Sequence, residues 1–228
     1  MRSSPSARLA AALLYGAASL AAIAPAAIPL TAAAGDTLAP GEREALVEMA
    51  GQALPNLVIH DEARDRYETG FETGDGQPVT LADFAGDVVV MNIWATWCPP
   101  CVHEMPSLDR LAATMAGSDV QVITVSVDRT GVGRVERFFA DTGNEAHPRI
   151  EALEIYIDKP NRLPREAAVI GLPVTMILDR QGREIARLTG DAEWDAPAVV
   201  AMLRHIAQLT ESGIKDASAA DPRVARGG

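Results

Sequence analysis

Cys98 and Cys101 are the only thiols in 228 residues. They stand three positions apart, with Pro99 and Pro100 between them, in the stretch NIWATWCPPCVHEMP from Asn92 to Pro106. A disulfide across so short a loop removes little entropy from the unfolded chain, which makes a structural staple a poor use of the pair. A tetrahedral zinc site needs about two further Cys or His ligands. His103 is adjacent, but His60, His147 and His205 are scattered singly. The spacing therefore favours a redox dithiol that needs no cofactor beyond the Cys98–Cys101 disulfide itself, and no resident metal. A metal-handling pair stays open as the alternative, because soft thiolates suit Cu(I).

A helix starting at the cysteines would give them different roles. Prolines are tolerated in a first helical turn, where the missing N–H has no intrahelical partner, so the spacing predicts a helix from the cysteines to about Met115. Cys98 then sits at the helix N-terminus, where unpaired backbone donors and the positive end of the macrodipole favour thiolate. It is the expected nucleophile, and Cys101, one turn deeper, is the expected resolver of the mixed disulfide. Pro99 and Pro100 remove two donors that could stabilise the Cys98 thiolate, which leans the pair toward the reducing end of such dithiols.

Glu104 follows Cys101 by three residues and so lies one turn along on nearly the same face. It could take or give the resolving proton, with release of a mixed disulfide expected to depend on it below neutral pH; an exposed surface glutamate is the other reading. Trp97, beside Cys98, reads as the apolar rim of a docking surface, and Trp94 as core. His103 reads as a solvated helix residue, and Trp194 in AEWDAP suggests no chemistry.

The elements around this helix alternate. FETGDGQPVTL looks like a hairpin turning at Gly74-Asp75-Gly76. VVVMNIWA, Val88 to Ala95, is a continuous apolar run that suits a buried central strand. VQVITVSVD, LEIYID and VTMILD are further strands, and GVGRVERFFADTG and RLPREAAV are helices. VTMILD and EIARLTG flank a terminal turn, and APAVVAMLRHIAQL closes with an amphipathic helix. Such alternation gives an α/β fold, a three-layer sandwich around a mixed sheet.

The ends are different in kind. Arg2 and Arg8 precede an apolar run from Leu9 to Leu30, and Ala32-x-Ala34 follows, so residues 1–34 read as an export leader, either cleaved or kept as an N-terminal membrane anchor. Both alternatives put the cysteines outside the cytoplasm, in the bacterial periplasm. Residues 35–53 read as a linker with a short helical patch near Glu42 to Ala50, residues 54–210 as one domain, and residues 211–228 as a flexible tail. The net charge of −11, or −13 without residues 1–34, argues against nucleic acid as a partner and against an anionic membrane surface beyond the N-terminal segment.

The string from Trp94 to Cys101, WATWCPPC, followed by Pro106, resembles the active site of the thioredoxin superfamily. The hairpin, MNIWATWC, HEMPSLDRL, GLPVT and ILDRQGREIARLTGDAEWDAP are similar to its exported TlpA/ResA branch, over roughly Leu54 to Gln208. The resemblance implies a thioredoxin-like α/β/α sandwich with an N-terminal β-hairpin addition, and a protein disulfide reductase re-reduced by a membrane thiol electron donor. It implies a cis Pro173 facing the cysteines, with the Leu172 backbone pairing with an extended substrate peptide. It links Glu104 to cysteine acid/base behaviour, and puts Asn92 where thioredoxin itself has a buried acid. TlpA-like proteins reduce copper-delivery factors for cytochrome oxidase assembly, and haem-pathway relatives act on apocytochrome c, although GLPVT departs from the GAPET-like loop of the latter. Copper chaperones of this fold separate their cysteines by three residues and add a distant histidine, a pattern that Cys98 and Cys101 do not match.

Overall fold

The computed structural model describes residues 38, 40–51, 53–141 and 149–219, of which residues 40 and 210–219 by backbone alone. The segment read as an export leader, the extreme C-terminus and His147 lie outside the described residues. Helix α1 (Pro40–Ala50) leads to strand β1 (Leu57–Arg64), the hairpin β2 (Phe71–Thr73) and β3 (Pro78–Val79), a 3-10 turn at Leu81–Phe84, and β4 (Val88–Trp94). Then follow α2 (Pro99–Met115), β5 (Val120–Ser126), α3 (Val132–Ala140), β6 (Ile155–Ile157), α4 (Leu163–Glu166), β7 (Val174–Leu178), β8 (Glu184–Thr189) and α5 (Pro197–Ala219).

The strands form one sheet in the order β1-β8-β7-β4-β5-β6-β2-β3, with helices on both faces. β4, β5 and β6 run parallel, and the other neighbours are antiparallel. β4 is central and every one of its residues is buried, as a strand covered on both faces requires. The chain therefore leaves β4 from the middle of the sheet straight into α2, which fixes the cysteines at the carboxyl end of a fully buried central strand. The β2–β3 hairpin forms as its glycines predict, with Gly76 at φ +84.

Three features differ from expectation. β1 was not expected as a strand; it pairs with β8 at the sheet edge, where Asp61 and Glu62 face solvent and blur the alternation. The helical patch expected in the segment read as a linker forms as α1, but it is no mere tether: it buries Leu46 and Ala50 in the core, with Leu54 just beyond it. α5 continues past Glu211, where a tail was expected, to Ala219. Among the described residues no helix is long and apolar enough to cross a membrane.

Candidate active site

Cys98 and Cys101 are joined as a disulfide, with their Cα atoms 5.3 Å apart. Cys98 is the N-cap of α2, and Pro99 and Pro100 fill its first turn. The Cys98 sulfur accepts a hydrogen bond from the Cys101 N–H at 3.4 Å, the one such bond it receives among the described residues. Cys98 is 5% exposed and Cys101 0%, an asymmetry that leaves only the first sulfur open to a partner.

The loop before Cys98 is held from β5. Asp128, just past that strand, is buried and accepts from the Thr96 N–H at 2.9 Å and the Thr96 hydroxyl at 2.7 Å, while Ser126 donates to it at 2.8 Å. Arg134 on α3 donates to the Thr96 hydroxyl at 2.6 Å. Thr96 is thus fixed from two elements, and Trp97, 60% exposed, projects beside the disulfide.

The Leu172–Pro173 peptide bond is cis, as the resemblance implies. Leu172, Trp97, Pro99, Pro100 and Cys98 line one open groove of about 790 Å³, so the predicted docking residues do converge. Pro173 itself is buried and does not line it.

Glu104 is 1% exposed, which removes the surface-residue reading. Its carboxylate accepts from Asn92 Nδ2 at 2.8 Å, from Trp194 Nε1 at 2.9 Å and from the Ala192 N–H at 3.2 Å. Burial pushes its pKa up to about 7; these three donors oppose the shift without cancelling it, and the nearby Asp191 charge adds to it. Asn92 also donates to Thr175 at 2.8 Å, its register partner on β7. Its Oδ1 is buried with no partner among the described residues.

Sequence reasoning missed Trp194 and the segment around it. The loop after β8 lies along one face of α2: Asp191 meets His103 at 3.0 Å, Ser107 donates to the Ala192 carbonyl at 3.2 Å and accepts from the Trp194 N–H at 3.1 Å, and Arg110 pairs with Asp195 at 2.5 Å. Residues 103, 107 and 110 share a helical stripe. That spacing was the available signal; the partner segment, some 85 residues away in sequence, gave none. His103, the third ligand that a copper reading would need, is largely solvent-exposed and turned to Asp191. Among the described residues no group of three His, Cys, Asp or Glu side chains is placed to hold a metal ion.

The profile of the Redoxin family matches residues 49–207. The chain belongs to this family. The thiol-disulfide oxidoreductase ResA of Bacillus cereus is 29% identical over 164 residues, 71% of this chain and 83% of ResA. The thioredoxin-like protein YneN of Bacillus subtilis is 33% identical over 124 residues, 53% of this chain and 67% of YneN. A secreted thiol-disulfide isomerase from Corynebacterium glutamicum superposes with a TM-score of 0.53 at 21% identity, over 68% of this chain and 92% of that one, a likeness of fold. This redoxin is a thiol-disulfide oxidoreductase of the ResA/TlpA type, with its cysteine pair at Cys98 and Cys101.

Proposed function

We propose that the protein works outside the cytoplasm as a reductant of disulfides in exported client proteins, and is itself re-reduced by a membrane thiol donor. The observation that carries this direction is the poor solvation of the Cys98 sulfur, which has one long N–H contact at 3.4 Å where two prolines withhold two others. A dithiol is strongly oxidising when its reduced, thiolate form is well stabilised, and here that stabilisation is thin.

The reduced enzyme would act in two steps. The Cys98 thiolate attacks one sulfur of a client disulfide; a mixed disulfide forms and the client's other sulfur leaves as a thiolate that takes a proton. Cys101 then loses its proton, attacks the Cys98 sulfur, and releases the second client sulfur, so the client gains two electrons from the enzyme pair, one proton from Cys101 and one from solvent, which had already taken the Cys98 proton. Glu104, a turn below Cys101 with a pKa near 7, is suited to accept the Cys101 proton at neutral pH. The Leu172 backbone and the exposed Trp97 serve as the docking platform. Copper-delivery factors for cytochrome oxidase assembly are the clients that the TlpA resemblance favours, with apocytochrome c second.

A glutathione redox titration followed by Trp97 fluorescence tests the direction. A potential nearer the roughly −270 mV of thioredoxin is expected, and one near the roughly −120 mV of DsbA overturns the reductase reading. Cys101→Ser should retain clients as stable Cys98 adducts, which identifies them.

A further inference from the structure

Around Cys98 the groove offers solvent two kinds of surface. Trp97 is 60% exposed and Ile170 fully exposed, giving two large apolar contacts in the groove that Cys98 lines. The exposed charges that line the groove are both cationic, Arg129 and Arg134. The acid among the lining residues, Asp128, is 1% exposed, is engaged by Thr96 and Ser126, and pairs with Arg134 at 3.5 Å, which leaves Arg129 as the uncompensated charge of the groove among the described residues.

Arg129 makes no ion pair among the described residues. It is nonetheless held: with its amide turned to satisfy both neighbours, Asn161 accepts from Arg129 Nε at 3.1 Å and donates to the Val127 carbonyl at 3.2 Å. A guanidinium fixed through Nε keeps its outer N–H groups free in the geometry that matches a carboxylate. The connection from β6 to α4, which carries Asn161, also holds the exposed Lys159 and Arg162, but these line a neighbouring cleft that they share with Glu68, Glu72 and Glu166. Its own acid, Asp158, is 2% exposed and accepts from the Leu163 N–H at 2.7 Å. A chain of net charge −11 therefore sets one uncompensated cation, Arg129, beside the apolar Trp97 and Ile170 in the groove of its one reactive sulfur. Local potential of this kind selects and steers partners more than it adds raw affinity.

We infer that this face recognises an extended client segment whose reactive cysteine has an aliphatic or aromatic neighbour and Asp or Glu side chains within a few residues. The apolar neighbour packs between Trp97 and Ile170, and a client carboxylate takes the free edge of Arg129. The inference rests on the reductase reading, and names the client's chemistry.

The test uses the reduced full chain and three peptides, each with one internal disulfide and a Leu beside the attacked cysteine, flanked by Glu, Gln or Lys. Second-order reduction rates at low salt should fall in the order Glu, Gln, Lys, with the Glu peptide about tenfold faster than the Lys peptide. At 0.5 M salt the ratio should shrink to about twofold. Arg129→Gln should bring it below about threefold at low salt, and Arg204→Gln, on α5 outside the groove, should leave the ratio at its wild-type value. Rates within twofold for all three peptides, or a ratio untouched by Arg129→Gln, overturn the inference and leave the reductase reading standing. A chain that reduces neither the peptides nor the neutral 2-hydroxyethyl disulfide overturns both.

Discussion

Glu104 on α2 and Glu184 on β8 are buried alike, 1% and 0% exposed, yet they titrate in opposite directions. Burial pushes both upward. At Glu184 that push is overcome by His60 Nε2 at 2.6 Å, by Arg187 through Nε at 2.8 Å and Nη2 at 2.6 Å, and by the Tyr67 hydroxyl, and its pKa is held at about 2. Tyr67, buried against that charge, is in turn pushed up to about 12. At Glu104 the donors are an amide, an indole and a backbone N–H, all neutral, and the pKa is pushed up to about 7. Desolvation alone makes a carboxylate reluctant to ionise; a cation in contact decides whether that reluctance survives. One glutamate is a fixed charge that ties β1 and the 64–71 segment to β8, and the other is left able to change its proton near neutral pH.

The largest expected effect lies at the fixed charge. Glu184→Gln leaves Arg187 without its counter-charge, and breaking a buried pair costs about 3–5 kcal/mol of stability. Urea unfolding at pH 7 would measure it, while the alkylation profile of the cysteines should keep its wild-type midpoint. The pH dependence carries its own sign. A folded pKa near 2 against an ordinary 4.5 means stability is present above pH 4.5 and lost as pH falls toward about 2, on the order of 3 kcal/mol in wild type and much less in the variant. A Glu184→Gln chain as stable as wild type would erase the contrast between the two sites.

Glu104→Gln should act on chemistry, with about a tenfold slower release of the mixed disulfide. The sequence-based expectation put this loss below neutral pH, but the raised pKa moves the window. Below about 7 the wild-type carboxylate is itself protonated and cannot serve as base, so the two proteins should converge there and diverge above it, until Cys101 ionises unaided. Removing the negative charge should also lower the apparent pKa of the coupled cysteine pair. Stability moves the opposite way from that at Glu184. A folded pKa raised from 4.5 to about 7 contributes stability fully present below 4.5 and lost as pH rises through 7, so the variant should gain on wild type above neutral pH. The Gln side chain can be accommodated because Asn92 can turn its unpartnered Oδ1 to meet the new amide. Single-turnover reduction from pH 5.5 to 9 checks the kinetics; superimposable profiles would make Glu104 as inert chemically as Glu184.

How legible the site was follows the range of its contacts. The CPPC pair, its helix and the buried strand before it are local patterns, carried within Val88 to Met115 by apolar continuity and first-turn prolines. The position of Glu104 on the helix was equally local. Its environment was not, because Asn92, Ala192 and Trp194 reach it over 12, 88 and 90 residues. The same holds for β1, whose outward Asp61 and Glu62 hide an edge strand, and for the docking of α1, whose helix was legible but whose cover, α5 and β1, was not.

The smallest expected effect is the one that separates positioning from packing. Trp194→Phe keeps a buried aromatic ring and deletes the Nε1–H that donates to Glu104 at 2.9 Å. A hydrogen bond to a charged group contributes about 1.5–3 kcal/mol, equivalent to about one to two pH units of carboxylate titration. The midpoint for mixed-disulfide release should therefore climb by about that much above 7, costing several-fold in rate near pH 7.5 and recovering by about pH 9. A loss of packing alone would lower the rate at every pH without moving the midpoint. Asp191→Asn supplies the opposite sign, since the Asp191 charge adds to the upward push on Glu104, and it should shift the midpoint down by less than the Trp194 change shifts it up. If both variants left the midpoint at its wild-type value, the loop after β8 would be packing for α2, and the contrast with Glu184 would have to be explained without it.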